Sequence, residues 1–136
     1  MDSISKCFLI DNDEEDQEIF HMALMEADAG LTCVFADNGA NGLTLLKNDP
    51  SFIPSIIFID MNMPIMDGRQ CLEEIKKLPH LKDVPVYIYS TTADPATIRE
   101  IKALGAADFI EKPASYKDLT ALLSNLLGKQ KPLPAE

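Results

Sequence analysis

Short apolar runs alternate with longer stretches of helical periodicity along the whole chain. Residues 6–10, 32–36, 55–59, 84–89 and 107–110 read as strands. The plainest run is Ile56-Ile57-Phe58-Ile59, which leads straight into Asp60. It is apolar on both faces, as a strand inside a parallel sheet must be when helices cover both sides. Helical periods fill the intervals. Residues 14–29 place Ile19, Phe20, Ala23, Leu24 and Ala27 on one face and stop at Gly30, a C′ residue by position. Residues 40–48 carry Leu43 and Leu46 and end before Pro50; residues 67–78 carry Cys71, Leu72, Ile75 and Leu78 and end before Pro79. Residues 95–104 open on Pro95 and end before Gly105. The last helix is marked by Leu119, Leu122, Leu123, Leu126 and Leu127, with Gly128 as its stop.

Strand followed by helix, five times over, predicts an α/β chain of (βα)5 form. Right-handed crossovers then give a doubly wound parallel five-stranded sheet with helices on both faces. Its order is expected to be 2-1-3-4-5, with the switch point between strands 1 and 3. Residues 1–128 form one expected domain; residues 129–136 hold two prolines and no core, and are expected to be a mobile tail.

A length of 136 residues suits a single core. The balance of 12 basic and 22 acidic residues gives a net charge of -10, which repels phosphate backbones and argues against nucleic acid as a direct partner. No apolar run approaches the ~20 residues of a membrane span, and the first residues lack the basic and apolar regions of a signal peptide. A cytoplasmic location is the resulting expectation. Cys7, Cys33 and Cys71 are odd in number and widely spaced, which argues against a disulfide framework or a zinc site; buried, reduced thiols are expected.

Open α/β sheets bind their ligands at the carboxyl ends of the strands. Asp60 stands there and is either a metal ligand or a nucleophile. Strand 1 runs into Asp11-Asn12-Asp13-Glu14-Glu15-Asp16, which faces Asp60 if strands 1 and 3 adjoin. Crowded carboxylates raise one another's pKa values, and a divalent cation relieves the repulsion. Oxygen donors in a shallow, hydrated site suit magnesium, with Asp11 as the first candidate ligand. Asp13 has a second use as cap of the first helix, and Glu14 to Asp16 read as a solvated helix face. Strand 4 ends in Ser90-Thr91-Thr92: Ser90 offers a hydroxyl to an anion beside Asp60, while Thr91 and Thr92 read as a capping turn. Strand 5 ends in Glu111-Lys112-Pro113, where Lys112 would pair with Asp60 or with a phosphate on it. Pro113 is a candidate for a cis peptide bond that would fix the direction of Lys112. His21 and His80 read as surface or boundary residues.

This constellation resembles the receiver domain of two-component response regulators, over roughly residues 5–128. The matching segments are Phe8-Leu9-Ile10-Asp11, Asp60-Met61-Asn62-Met63-Pro64 with Met66-Asp67-Gly68, Pro85-Val86 running to Ser90, and Gly105 through Phe109 to Pro113. The resemblance implies a flavodoxin-like sheet and a stand-alone, chemotaxis-regulator-like signalling protein that is not an enzyme. It implies that Asp60 accepts a phosphoryl group from a phosphohistidine on a histidine kinase, with a histidine phosphotransfer protein as a further partner. It implies magnesium held by Asp11 through water, by Asp60 directly and by the backbone carbonyl of Asn62. Lys112 would pair with the phosphoryl oxygens, Ser90 would swing onto the phosphate, and Phe109 would follow inward as an aromatic switch. Together these would bias the face built from helix 4, strand 5 and helix 5, for docking or phosphorelay.

One position departs from the family pattern. A second acidic residue normally follows strand 1 and ligates the metal directly; here that place is Asn12, an uncharged and weaker ligand. Weakened magnesium binding follows, with Asp13 as an alternative ligand. Asn12 also motivates a competing function, a receiver-like binding module that docks without phosphate. A hydrolase of the haloacid dehalogenase kind would use Asp11 as nucleophile and Asp13 as acid, but Glu15 stands where that family has threonine. A flavodoxin-like flavin carrier would need hydroxyls and glycine where this chain has its acidic loop. The short tail leaves no room for an output domain, so action by docking or relay is expected.

Overall fold

Chain segments that are apolar on both faces become the interior of a parallel sheet. The computed structural model describes residues 5–28, 30–91 and 94–130. Its strands are β1 (Ser5–Ile10), β2 (Leu31–Ala36), β3 (Ile56–Asp60), β4 (Val86–Ser90) and β5 (Asp108–Glu111). They pair in parallel in the order β2-β1-β3-β4-β5, as expected. Every residue of β3 and β4 is buried. Strand β4 starts at Val86 rather than at residue 84 because Pro85 has no N–H to give the ladder.

The helices are α1 (Glu14–Ala27), α2 (Gly39–Asn48), α3 (Gly68–Lys76), α4 (Pro95–Ala103) and α5 (Tyr116–Gln130), with a 3₁₀ turn at Pro79–Leu81. Alternation along each strand splits the core in two. Phe8, Ile10, Ile57, Ile59, Val86 and Ile88 pack under α2, α3 and α4 through Leu43, Leu46, Leu72, Ile75 and Ile101. Cys7, Leu9, Ile56, Phe58, Tyr87 and Tyr89 pack under α1 and α5 through Phe20, Leu24, Leu119, Leu123 and Leu127. Phe58 and Tyr89 each meet Phe20 edge-on, at 5.0 and 5.6 Å between ring centroids, which anchors α1 over the centre of the sheet.

Helix starts gather at the strands' carboxyl edge, and short polar side chains cap them. Asp13 accepts from the N–H groups of Glu15 and Asp16, Asn38 from that of Asn41, and Asp94 from that of Thr97. Asp67 and Gln70 form a reciprocal capping box on α3. Helix α4 ends in a Schellman motif: Gly105 has φ +110, its N–H reaches Lys102 O, and Ala106 N–H reaches Ile101 O.

Two glycine stops differ from expectation. Helix α1 ends at Ala27, the chain leaves through an extended Asp28, and the Asp28 carboxylate takes the Gly30 N–H, so Gly30 is not a left-handed cap. Helix α5 passes through Gly128 to Gln130. Glycine costs a helix only about 1 kcal/mol, and the docked leucines upstream outweigh that. The tail residues 131–136 and Thr92 lie outside the described residues. Among the described residues no helix is long and apolar enough to cross a membrane.

Gly68 ties α3 to the site. Its N–H bonds Met61 O at 2.9 Å, and a Cβ there would lie 2.7 Å from both Asp60 O and Met61 Cα. Both are backbone atoms and cannot swing away. Gly68→Ala is therefore expected to destabilise the fold by about 1–3 kcal/mol, read as a lower urea midpoint with an unchanged slope. An unchanged midpoint would show that the helix start yields freely.

Candidate functional site

The ends of β1, β3 and β5 bring together residues far apart in the chain. Asp11 follows β1 and is fully buried; Asp60 ends β3 and is 6% exposed. Lys112 follows β5, and its N–H is fixed to Ser90 O at 2.7 Å. Its ammonium lies 2.9 Å from Asp16 Oδ2, 3.2 Å from Asp11 Oδ2 and 3.8 Å from Asp60 Oδ1. The ring of Tyr89 lies beneath it, 5.2 Å from Nζ to the centroid.

One cation thus faces three carboxylates. Burial, and after it the charges of Asp11 and Asp16, pushes Asp60 up from an ordinary 3.8 to about 6, against the pull of Lys112 and the Asn62 N–H. Burial also raises Asp11, despite bonds from Asp13 N–H and Lys112. Burial alone would lower Lys112, but its bond to Asp16 and the charges of Asp11 and Asp60 carry it well above the usual lysine range. The ammonium is therefore permanent at any physiological pH.

Ser90 ends β4 fully buried, and its Oγ accepts from Asn62 Nδ2 at 3.1 Å. Asn62 N–H donates to Asp60 Oδ1 at 3.3 Å. Asp13 is exposed, and its Oδ1 is engaged in capping α1. Asn12 is exposed, as is Thr91. Phe109 is half-buried and packs on the α2–α3–α4 side of the sheet. Among the described residues there is no cis peptide bond, which corrects the expectation at Pro113. The trans form is the lower-energy one, and the Ser90 carbonyl and the carboxylates aim Lys112 without an isomer switch. His80 Nε2 pairs with Leu46 O, and the His21 ring rests on Phe35, so both histidines stay with the boundary of the core.

Three features escape the sequence pattern. Asp16, though its side chain is still 38% exposed, is more than a solvated helix residue: it is the nearest partner of Lys112. It stands three places after the cap Asp13, a spacing that turns it back toward the strand ends. Gln17 Nε2 donates to Asp11 O at 2.6 Å and to Asp37 Oδ1 at 3.2 Å, joining β1 to the β2–α2 loop. Ile65, fully exposed, has φ 72 and sits at the centre of a γ-turn closed by Met66 N–H on Pro64 O. That is a strained conformation for a β-branched residue.

The donor set suits magnesium. Among the described residues no three acidic, histidine or cysteine side chains group closely enough to hold a metal by themselves. Magnesium does not need such a cage: it commonly takes one or two carboxylates and keeps several waters. Asp11 and Asp60, buried and raised in pKa, supply two carboxylates whose repulsion a cation relieves.

The chain belongs to the response regulator receiver domain family, whose match covers residues 7–124. It is 32% identical over 118 residues to two-component response regulator ORR11 of Oryza sativa subsp. indica, covering 87% of this chain and 78% of that protein. A protein-glutamate methylesterase/protein-glutamine glutaminase of Methanococcoides burtonii is 32% identical over 91 residues, but these are only 25% of that protein. Its enzyme activity is thus no guide to this chain. Among solved structures, the phosphorylated cyanobacterial phytochrome response regulator RcpA superposes with a TM-score of 0.82 at 26% identity, covering 91% of both chains. The manganese-bound form of response regulator Rcp1 shares the fold, with a TM-score of 0.81 at 23% identity over 96% of this chain and 99% of that one. Receiver domains are signalling domains rather than enzymes as a rule, and they typically bind magnesium. Family membership removes the dehalogenase-like and flavin-carrier readings.

A carboxyl raised in the folded state holds its proton more tightly folded than unfolded. Stability should therefore fall as pH rises from about 4 to about 6, and the penalty is complete above that. Asp60→Asn lacks the charge. It is expected to be more stable than wild type by about 1–3 kcal/mol at pH 7.5, an advantage that shrinks toward pH 4. Urea denaturation across that range checks it; equal stability at pH 7.5 would mean that Asp60 is not strained by its neighbours.

Proposed function

We propose that this receiver accepts a phosphoryl group on Asp60 from a phosphohistidine of a histidine kinase or a histidine phosphotransfer protein. The observation that carries this is the buried Asp60, near pKa 6, beside a lysine already shared with two other carboxylates. At neutral pH Asp60 is mostly ionised and nucleophilic. Its oxygen forms the new bond to phosphorus while the donor's nitrogen–phosphorus bond breaks and the imidazole takes the electron pair. Magnesium, held by Asp60, the Asn62 carbonyl and, through water, Asp11, would neutralise charge on the transferring group. Lys112 is within reach of phosphoryl oxygens and exchanges part of its carboxylate pairing for them. Ser90 keeps its hydroxyl proton free to donate, since its Oγ accepts from Asn62. Exposed Ile19 and Met22 line a groove with Lys112 and Tyr116 beside the pocket, offering apolar surface to the donor.

After transfer, Ser90 turns onto the phosphate and Phe109 moves into the space it leaves. The face of α4, β5 and α5 then changes its affinity for a partner. Asn12 favours a second reading, a module that docks through the same face without phosphate. Asn12 is the one pocket-edge position where a charge expected of the family is missing.

Incubation with acetyl phosphate, and separately with a phosphorylated histidine kinase, should label the protein at millimolar magnesium. Label should be absent from Asp60→Ala and should weaken below about pH 6 as Asp60 takes up its proton. Asn12→Asp should lower the magnesium needed by about tenfold or more. No label from either donor at any magnesium level would remove the phosphoacceptor reading and leave the docking module.

A further inference from the structure

Cys7 and Cys33 take no part in the sheet-edge pocket. They are direct partners in the β1–β2 register, and both side chains lie on the face that α1 and α5 cover. Adjacent strands run about 4.7–4.9 Å apart, inside the 4.4–6.8 Å Cα separation that a disulfide spans. Cys7 is fully buried, whereas Cys33 is only half-buried. Burial, and then the adjoining Cys33 thiol, pushes the Cys7 thiol well above its ordinary value, so Cys7 is a poor first nucleophile. Strand β2 is an edge strand bonded to β1 alone, so no second strand holds it from the other side. Cys71 lies on the opposite face of the sheet, its Sγ near Gly39 O, and is out of reach.

We propose that Cys33 is a peroxide-sensitive thiol that closes a reversible cross-strand disulfide with Cys7. The Cys33 sulfur attacks one oxygen of a hydroperoxide, the O–O bond breaks, and the thiol proton leaves with the second oxygen as water or alcohol. The Cys7 sulfur then attacks the sulfenic sulfur of Cys33, the S–S bond forms, and the S–O bond breaks with loss of water. Two thiols have lost two electrons and the peroxide has gained them. Cys33 is only half-buried, so the bond stays within reach of a thiol reductant. The bond ties edge strand β2 to the strand that leads into Asp11, whose N–H already bonds Ala36 O at the end of β2.

The full chain is treated with hydrogen peroxide under native conditions, then denatured in N-ethylmaleimide and measured by mass spectrometry. The expected protein carries one maleimide, on Cys71, and regains all three after dithiothreitol. A non-reducing peptide map should show Cys7 joined to Cys33. Cys33→Ser should keep Cys7 free, and Cys7→Ser should stop at a dimedone-trappable Cys33. Three alkylated thiols, a Cys33 sulfinic acid, an intermolecular disulfide or a link to Cys71 would each overturn the proposal. The wild-type map decides alone if either variant fails to fold.

Discussion

The site depends on a single ammonium set among carboxylates that it cannot fully neutralise. Lys112 reaches Asp16, Asp11 and Asp60 within 3.8 Å. Each partner arrives from a different element: the end of β1, the first turns of α1, the end of β3. Asp11 and Asp16 share one loop and helix start, but Asp60 and Lys112 are far from them in the chain, so the cluster exists only when β1, β3 and β5 are aligned. Removing the one cation of such a buried ionic group typically costs about 3–5 kcal/mol, because the carboxylates left behind face one another unpaired, whereas removing one of three crowded carboxylates relieves repulsion. Lys112 is therefore the clamp that holds the ends of β1, β3 and β5 and the start of α1 together.

That residual negative charge explains the surroundings. The Asp60 carboxylate is stressed, and stress of this kind is relieved by adding positive charge or by drawing charge away into a new bond. Polar groups nearby are held at single hydrogen bonds rather than locked: Ser90 Oγ has Asn62, and Asp60 Oδ1 has the Asn62 N–H. The loop from Met61 to Gly68 is strained at Ile65 and pressed against backbone at Gly68. Strain of this kind persists where the surrounding structure over-determines it. Here the over-determination comes from the α3 capping box and from the Gly68 bond to Met61 O.

Most of the fold was legible because its central strands are apolar on both faces and each is followed by a helical period. Asp11, Asp60, Ser90 and Lys112 could be placed at one edge for the same reason: each stands where an apolar run ends. The misses have a common physical origin. Gly30, Gly128 and Pro113 are local signals, and each yielded to packing or bonding elsewhere: the Asp28 carboxylate, the α5 leucines, the clamp on Lys112. Asp16 was hidden inside an acidic run, where charge looks solvated unless the cap at Asp13 is used to phase the helix. The Cys7–Cys33 pairing depends on register between strands, which a one-dimensional pattern does not contain.

Asn12 then acquires a physical meaning beyond a missing ligand. A carboxylate in its place would add a fourth negative charge around Lys112. With Asp60 already at about 6, another anion would drive it higher and leave more of it protonated, and so less nucleophilic, near neutral pH. The amide avoids that and, on the proposed reading, would hold a divalent cation more weakly than a carboxylate. Since Asn12 is exposed, water would screen a charge placed there, so the electrostatic relief is modest, whereas a direct ligand missing from a bound metal would be felt in full. The two effects act on different states: the first on the free pocket, the second on the metal-loaded one. On the proposed reading, such a pocket would keep Asp60 ionised near neutral pH and would tie its reactivity to the supply of magnesium.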